Sequence, residues 1–159
     1  MNRQIIALIV ISLGLLAIRL FFIMNTMVID DEAYYAMYSR HLAWGYIDHG
    51  PVIAIVIKLG IFLFGENGFG VRFGALALYT LLSVFLYFFG EKEFNKNTGV
   101  ILFTTYWINI LFHTNGIVST PDVPLAFFSI FAIIFYYKAY FEDANFFYLG
   151  GFILGLALL

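Results

Sequence analysis

Cysteine is absent from the 159-residue chain. Its absence excludes disulfides and thiolate metal sites and leaves no mark of a redox compartment. Charge is scarce as well. Asp, Glu, Lys and Arg together make up 11% of the residues, against roughly a quarter in a soluble domain. That is too few to cover a water-facing surface. The net charge of −2 and the lack of a basic stripe exclude a nucleic-acid binder. Histidine occurs three times, at His41, His49 and His113, with none of the spacings that hold zinc, such as His-Glu-x-x-His. No Walker loop, dinucleotide fingerprint or nucleophile elbow occurs, nor does any internal repeat, low-complexity tract or domain linker.

What the chain has in abundance is apolar surface, with 63% hydrophobic and 21% aromatic residues. Its apolar runs are too long for an ordinary core, so the class is integral membrane protein. Met-Asn-Arg leads directly into the run 5–24. That run exceeds the roughly 7–15 residues of a signal-peptide core, so it reads as an uncleaved first span. At about 1.5 Å per residue it reaches the thickness of the hydrocarbon layer. Further spans are expected over 69–90, 98–112, 123–141 and 146–159. The segment 51–64, an apolar run that contains Lys58, is too short to span and reads as interfacial or re-entrant. Arg19 is expected to snorkel to the interface from the end of the first span. The expected fold is therefore all-α: a polytopic transmembrane bundle whose first outer loop, 25–68, contains juxtamembrane helices. The last run is short of the roughly 20 residues a span needs, and the chain is expected to continue beyond Leu159.

Lysine and arginine bias sets the orientation. Arg3, Lys92, Lys96 and Lys138 fall on one side, and Arg40, Lys58 and Arg72 on the other. The first set places the N-terminus in the cytoplasm. Residues 25–68 and the break at 113–122 then both face outward, and the acids of the two segments meet on one side.

Those acids are the feature of interest. The stretch "VIDDEAYYAMYSRHLAWGYIDHGP" sets Asp30, Asp31 and Glu32 in a row within an oily chain. Three acids at mid-bilayer would cost roughly 9 kcal/mol, so they lie at or above the interface. There they admit two readings: acids favoured by the dipole at a helix N-terminus, or a site. Tyr34, Tyr35 and Tyr38 follow Asp31 at helical spacing and share its face. Such rings make a wall for a sugar, and equally an interfacial tyrosine belt. Asp122, in "STPDVPLAFF", admits the same choice. Ser119, Thr120 or Asp122 would cap the fourth span with a proline in its first turn, or Asp122 faces an outer cavity as a carboxylate. His49 reads as ordering the Asp-His-Gly-Pro turn. Arg40 and Arg72 are suited to a phosphate or to headgroup anchoring. Arg72 is taken as an anchor and Arg40 is left open.

Taken in order, "DDEAYYAMYSRHLAWGYIDHGPVIA…LFGENGFGVRFGALAL" and "STPDVPLAFF" resemble the N-terminal half of the polytopic GT-C glycosyltransferases. The resemblance is to the branch of lipid A aminoarabinose transferases and protein O-mannosyltransferases, and it covers essentially the whole chain. It implies transfer of a sugar from a polyprenyl-phosphate carrier to a lipid, glycan or protein hydroxyl at the outer membrane face, usually with inversion. By that resemblance Asp31 and Glu32 are the catalytic acids, Asp31 as the general base or acceptor-orienting carboxylate with Glu32 beside it. Asp122 is the second outer acid, near the acceptor or a divalent metal shared with Asp31. Tyr34, Tyr35, Arg40 and His49 are the remaining substrate-binding candidates. The chain departs from the pattern at Gly50, where the family often has proline before Pro51, and the later spans that supply much of the donor pocket are expected outside these 159 residues. A transporter half and a non-catalytic membrane scaffold are the competing classes. A transporter would place its charged groups near mid-membrane on broken helices.

Overall fold

The computed structural model describes the backbone of residues 3–159 and the side chains of residues 6–110 and 114–159. Among the described residues the chain is helical with no strand. The helices are α1 (Arg3–Asn25), α2 (Asp30–Arg40), α3 (Val52–Phe64), α4 (Gly68–Glu93), α5 (Lys96–Ile108), α6 (Ile110–Asn115), α7 (Asp122–Phe141) and α8 (Phe146–Ala157). Among the described residues three segments are long and apolar enough to cross a membrane: Ile6–Asn25, Gly68–Glu93 and Asp122–Phe141. Helices α3 and α8 are apolar but shorter. Large apolar side chains lie exposed along α1, α4 and α7. An exposed apolar flank is stable where the surroundings are hydrocarbon.

Local chemistry sets the helix ends. Gly65 closes α3 with a positive φ of 83°, a conformation open to a residue without Cβ, and its N–H donates to the Ile61 carbonyl at 2.8 Å. Asn67 then caps α4, its side chain accepting from the Gly70 N–H at 2.9 Å, and Asn95 caps α5 through the Thr98 N–H at 3.0 Å. Each side chain satisfies a donor the helix itself leaves open.

Glycines allow the helical hairpins to close. A Cβ on Gly90 would lie 2.8 Å from the Gly99 Cα, and one on Gly99 would lie 2.5 Å from the Tyr87 carbonyl. Helices α4 and α5 therefore approach backbone to backbone, as small residues permit in membranes. Gly60 and Gly70 do the same for α3 and α4.

Contacts along the helices fix their directions. The Arg72 guanidinium on α4 reaches the Ile23 carbonyl near the end of α1, and Arg19 lies over the Tyr79 ring further along α4. Helices α1 and α4 thus run antiparallel. Ser119, just before α7, donates to the Val71 carbonyl at the start of α4. Phe85 and Phe131 meet midway at 4.4 Å, and Lys138 reaches Glu93 near the far ends at 3.5 Å. Helices α4 and α7 thus run parallel. The end of α1 and the starts of α2, α4 and α7 share one end of the bundle.

Three expectations are corrected. Arg19 does not snorkel outward. It is 0% exposed, with its guanidinium 3.7 Å from the Tyr79 ring centre and 4.4 Å from that of Trp107. The faces of those rings offer the cation an electrostatic partner inside the bundle. Arg72 is not a headgroup anchor: it is 2% exposed and ion-paired with Glu32. The helix expected over 98–112 is broken. Asn109 adopts extended backbone, with ψ 123°, and separates α5 from α6.

Candidate functional site

A buried ion pair organises the shared end of the bundle. Arg72 donates from Nε to Glu32 Oε1 at 2.8 Å and from Nη2 to Glu32 Oε2 at 2.6 Å. Its remaining N–H groups reach the Thr26 carbonyl at 3.1 Å, Thr26 Oγ1 at 2.7 Å and the Met27 carbonyl at 2.7 Å. These carbonyls lie where α1 ends, and the planar guanidinium fork satisfies them together with the carboxylate. Glu32 also accepts from the Ile29 N–H at 3.1 Å and the Ser119 N–H at 3.0 Å. It is 0% exposed. One carboxylate thus ties the start of α2 to α4 and to the segment entering α7. Sequence reasoning counts Glu32 with Asp31 as a catalytic acid. The structure closes it off behind Asp31, with both oxygens engaged.

The clamp leaves Asp31 and Asp122 exposed on the segments it joins. Asp31 sits in the first turn of α2 together with Asp30 and Glu32, and Asp122 opens α7. None of Ser119, Thr120 and Asp122 caps α7, whose start makes no side-chain cap hydrogen bond. The Ser119 hydroxyl turns to the Val71 carbonyl instead, at 2.8 Å. Both exposed acids stand at helix N-termini, where the dipole favours negative charge.

Tyr35 reports how these acids converge. Its side chain is buried, and its hydroxyl pairs with His49 Nε2 at 3.1 Å. Burial raises the phenol above its ordinary pKa, and the fields of Asp31, Asp48 and Asp122 raise it further. A negative charge near a phenol disfavours the phenolate. One hydroxyl therefore lies within electrostatic reach of three carboxylates from three segments of the chain.

Asp48 is the member that sequence reasoning missed. Its Oδ1 accepts from Tyr38 at 2.8 Å and from Tyr34 at 3.3 Å, and the two phenols are themselves hydrogen-bonded. The Tyr38 hydrogen bond, foremost, holds the Asp48 carboxyl below its usual pKa, and His49 adds to this. The loop carrying Asp48 is pinned by Tyr46. The Tyr46 ring stacks on Tyr38 with centroids 3.8 Å apart. Its hydroxyl is within hydrogen-bond distance of the Tyr38 carbonyl at 3.0 Å, and the hydroxyl accepts from the Ala43 N–H at 3.2 Å. The only sequence signal for Asp48 was its place in the Tyr-x-Asp-His block.

The structure packs Tyr35 against Tyr34 and His49, while Asp31 and Asp122 bear on the Tyr35 hydroxyl through their fields. Arg40 stands apart, at the far end of α2 from Asp31, where its Nε donates to Glu66 at 2.6 Å on the exposed surface. A cavity of about 230 Å³ opens beside His49, lined by Asp48, His49, Ile53, Pro121, Pro124 and Leu125 among others. Among the described residues no three His, Cys, Asp or Glu side chains cluster so as to hold a metal ion. The His113 side chain lies outside the described residues.

The fold and this end of the bundle define an integral membrane protein with carboxylates, phenols and a histidine at one end of its helices. Residues 48–159 match the family model described as dolichyl-phosphate-mannose-protein mannosyltransferase, and the chain belongs to that family. The matched region contains Asp48, His49 and Asp122 and begins after Asp31 and Glu32. The chain is also 27% identical over 97 residues to an uncharacterized protein of Aquifex aeolicus (strain VF5). That alignment covers 60% of this chain and 19% of the relative, so the chain corresponds to a minor part of the relative's length. No solved structure matches it.

Proposed function

We propose that this chain forms part of a membrane transferase that moves a sugar from a polyprenyl-phosphate carrier to a hydroxyl acceptor at the extracytoplasmic face. Family membership supports the reaction class. The observation that supports the assignment of residues is the Tyr35 hydroxyl, hydrogen-bonded to His49 and within the fields of Asp31, Asp48 and Asp122. A single displacement needs a base to take the acceptor proton as the new bond forms. Asp31, exposed and fixed by its neighbour Glu32, is the base. The acceptor oxygen bonds to the anomeric carbon as the carbon–oxygen bond to phosphate breaks. The electron pair leaves with the carrier phosphate, and configuration inverts. Asp122, at the start of α7, orients the acceptor. Tyr34 and Tyr35 offer ring surface and hydroxyl groups to a sugar, and His49 lines the adjoining cavity as a further binding group. Arg72 is already committed to Glu32 and does not serve the phosphate.

The acids lie at the end of the bundle, which supports a lipid-borne donor meeting a water-borne acceptor over a transporter's mid-membrane site. The test is Asp31→Asn in the intact protein, reconstituted with polyprenyl-phosphate mannose and assayed for loss of the sugar from its carrier. Loss of transfer with unchanged thermal stability supports the assignment. Transfer at the parent rate removes Asp31 from the mechanism.

A further inference from the structure

The loop between α2 and α3 presents two large apolar side chains almost wholly to the surroundings: Trp44 is 96% exposed and Ile47 is 99% exposed. Loop side chains of this kind usually fold back to bury their surface, because exposing a large apolar group to water costs on the order of 1.5–3 kcal/mol. Here the loop cannot relax that way. Tyr46 is locked by its stack on Tyr38, by hydrogen bonds at its hydroxyl and by its own N–H to the His49 carbonyl at 2.9 Å. Ile47 directly follows this fixed residue and Trp44 lies two positions before it.

The surface around the loop continues that apolar character. Leu42 is exposed, and the loop leads directly into α3, whose outer face exposes Ile55, Leu59, Phe62 and Leu63. At its other end the segment leaves α1 at Thr26 and Met27, whose carbonyls accept from Arg72. The pinned loop, the apolar helix that follows it and the span end thus form one stretch beginning where the bilayer ends. Trp is favoured at headgroup level, where its ring lies in apolar surroundings and its N–H stays wet.

We propose that Trp44 and Ile47 insert into the lipid headgroup region and anchor the 41–51 loop to the membrane surface. The anchor would fix the depth of Asp48 and His49, which follow Ile47 directly. This rests on the membrane class of the chain and not on the transfer reaction, so its test is independent of catalysis.

The chain has two tryptophans, and Trp107 is buried against Arg19. The emission lost on Trp44→Phe therefore isolates Trp44. The intact protein and this variant are reconstituted in phosphatidylcholine vesicles brominated near the headgroup end of the acyl chains. A matched set carries bromine near the terminal methyl, and a third, unbrominated set is titrated with iodide. The expected result is that the Trp44 component loses most of its intensity to the shallow bromines, and less to the deep bromines and to iodide. Quenching chiefly by iodide, chiefly by the deep bromines, or by none of the three would overturn the proposal. Those results place the ring in water, in the hydrocarbon core or under other protein, respectively.

Discussion

Arg72 and Glu32, forty positions apart in sequence, meet in a bidentate pair with neither side chain open to the surroundings. The pair matters because of what else it holds. Glu32 also takes the Ser119 N–H, and Arg72 also takes carbonyls at the end of α1. The pair therefore joins the helix that carries Asp31 to the segment that leads into Asp122.

Removing one partner leaves the other buried and uncompensated. Glu32→Ala and Arg72→Ala are each expected to destabilise the protein by about 3–5 kcal/mol. The double substitution should cost clearly less than the sum, because no lone charge remains. Arg72→Lys keeps the charge and loses the planar fork, and should fall between the parent and Arg72→Ala. Thermal unfolding in a fixed detergent measures all four, and strict additivity would show that the pair does not act as a unit.

Asp31→Asn should behave in the opposite way. The carboxylate is exposed, so stability should change by no more than about 0.5 kcal/mol. Transfer should fall by about 10²–10⁴-fold if a general base is lost. Asp122→Asn should also spare stability, and should raise the acceptor requirement more than it lowers the limiting rate. Steady-state kinetics at varied acceptor concentration separates the two roles.

Acid should loosen the 41–51 loop. Asp48 binds its proton less readily in the fold than in the unfolded chain, because Tyr38 stabilises its charged form. Its contribution is therefore present above the ordinary carboxylate range and is lost as pH falls through the lowered folded value. Limited proteolysis of the loop against pH should show a transition on the acidic side of that range. Tyr38→Phe should move the transition to higher pH, and Asp48→Asn should abolish it.

Gly99→Val should separate α4 from α5. A Cβ at Gly99 meets the Tyr87 carbonyl and also lies 3.0 Å from the Glu91 nitrogen, so backbone has to move. The expected loss is about 1–3 kcal/mol. Gly155→Ala is the control, because nothing lies within 4 Å of a Cβ there. Comparing the two melting curves tests whether the hairpin depends on the close approach.

Part of the site was legible because hydropathy counts crossings. Long apolar runs fixed where the chain could enter a membrane, and so which polar segments could share a face. On that basis Asp31 and Asp122 were expected on one side, with Tyr34 and Tyr35 on the face of Asp31, and the structure has both acids exposed at helix starts. Arg19, Arg72 and Asp48 were misread or missed for a common reason. A cation within an apolar run looks the same whether it snorkels to water, lies over rings as Arg19 does, or pairs with a distant acid as Arg72 does. Asp48 depends on Tyr34 and Tyr38 reaching it across a loop, and no periodicity encodes that reach. The break at Asn109 hid in the same way, because apolar composition continues through it.

The sequence by itself determined the membrane class, the all-helical fold and the clustering of acids at the ends of apolar runs. These follow from the cost of burying charge and unpaired backbone in hydrocarbon. Only the tertiary structure decided which acid is sealed and which is open. Asp31 and Glu32 are neighbours of like chemistry, and the helix turns one toward Arg72 and Ser119 and leaves the other exposed. That distinction comes from partners forty and eighty-seven residues away, which meet only after the helices have packed.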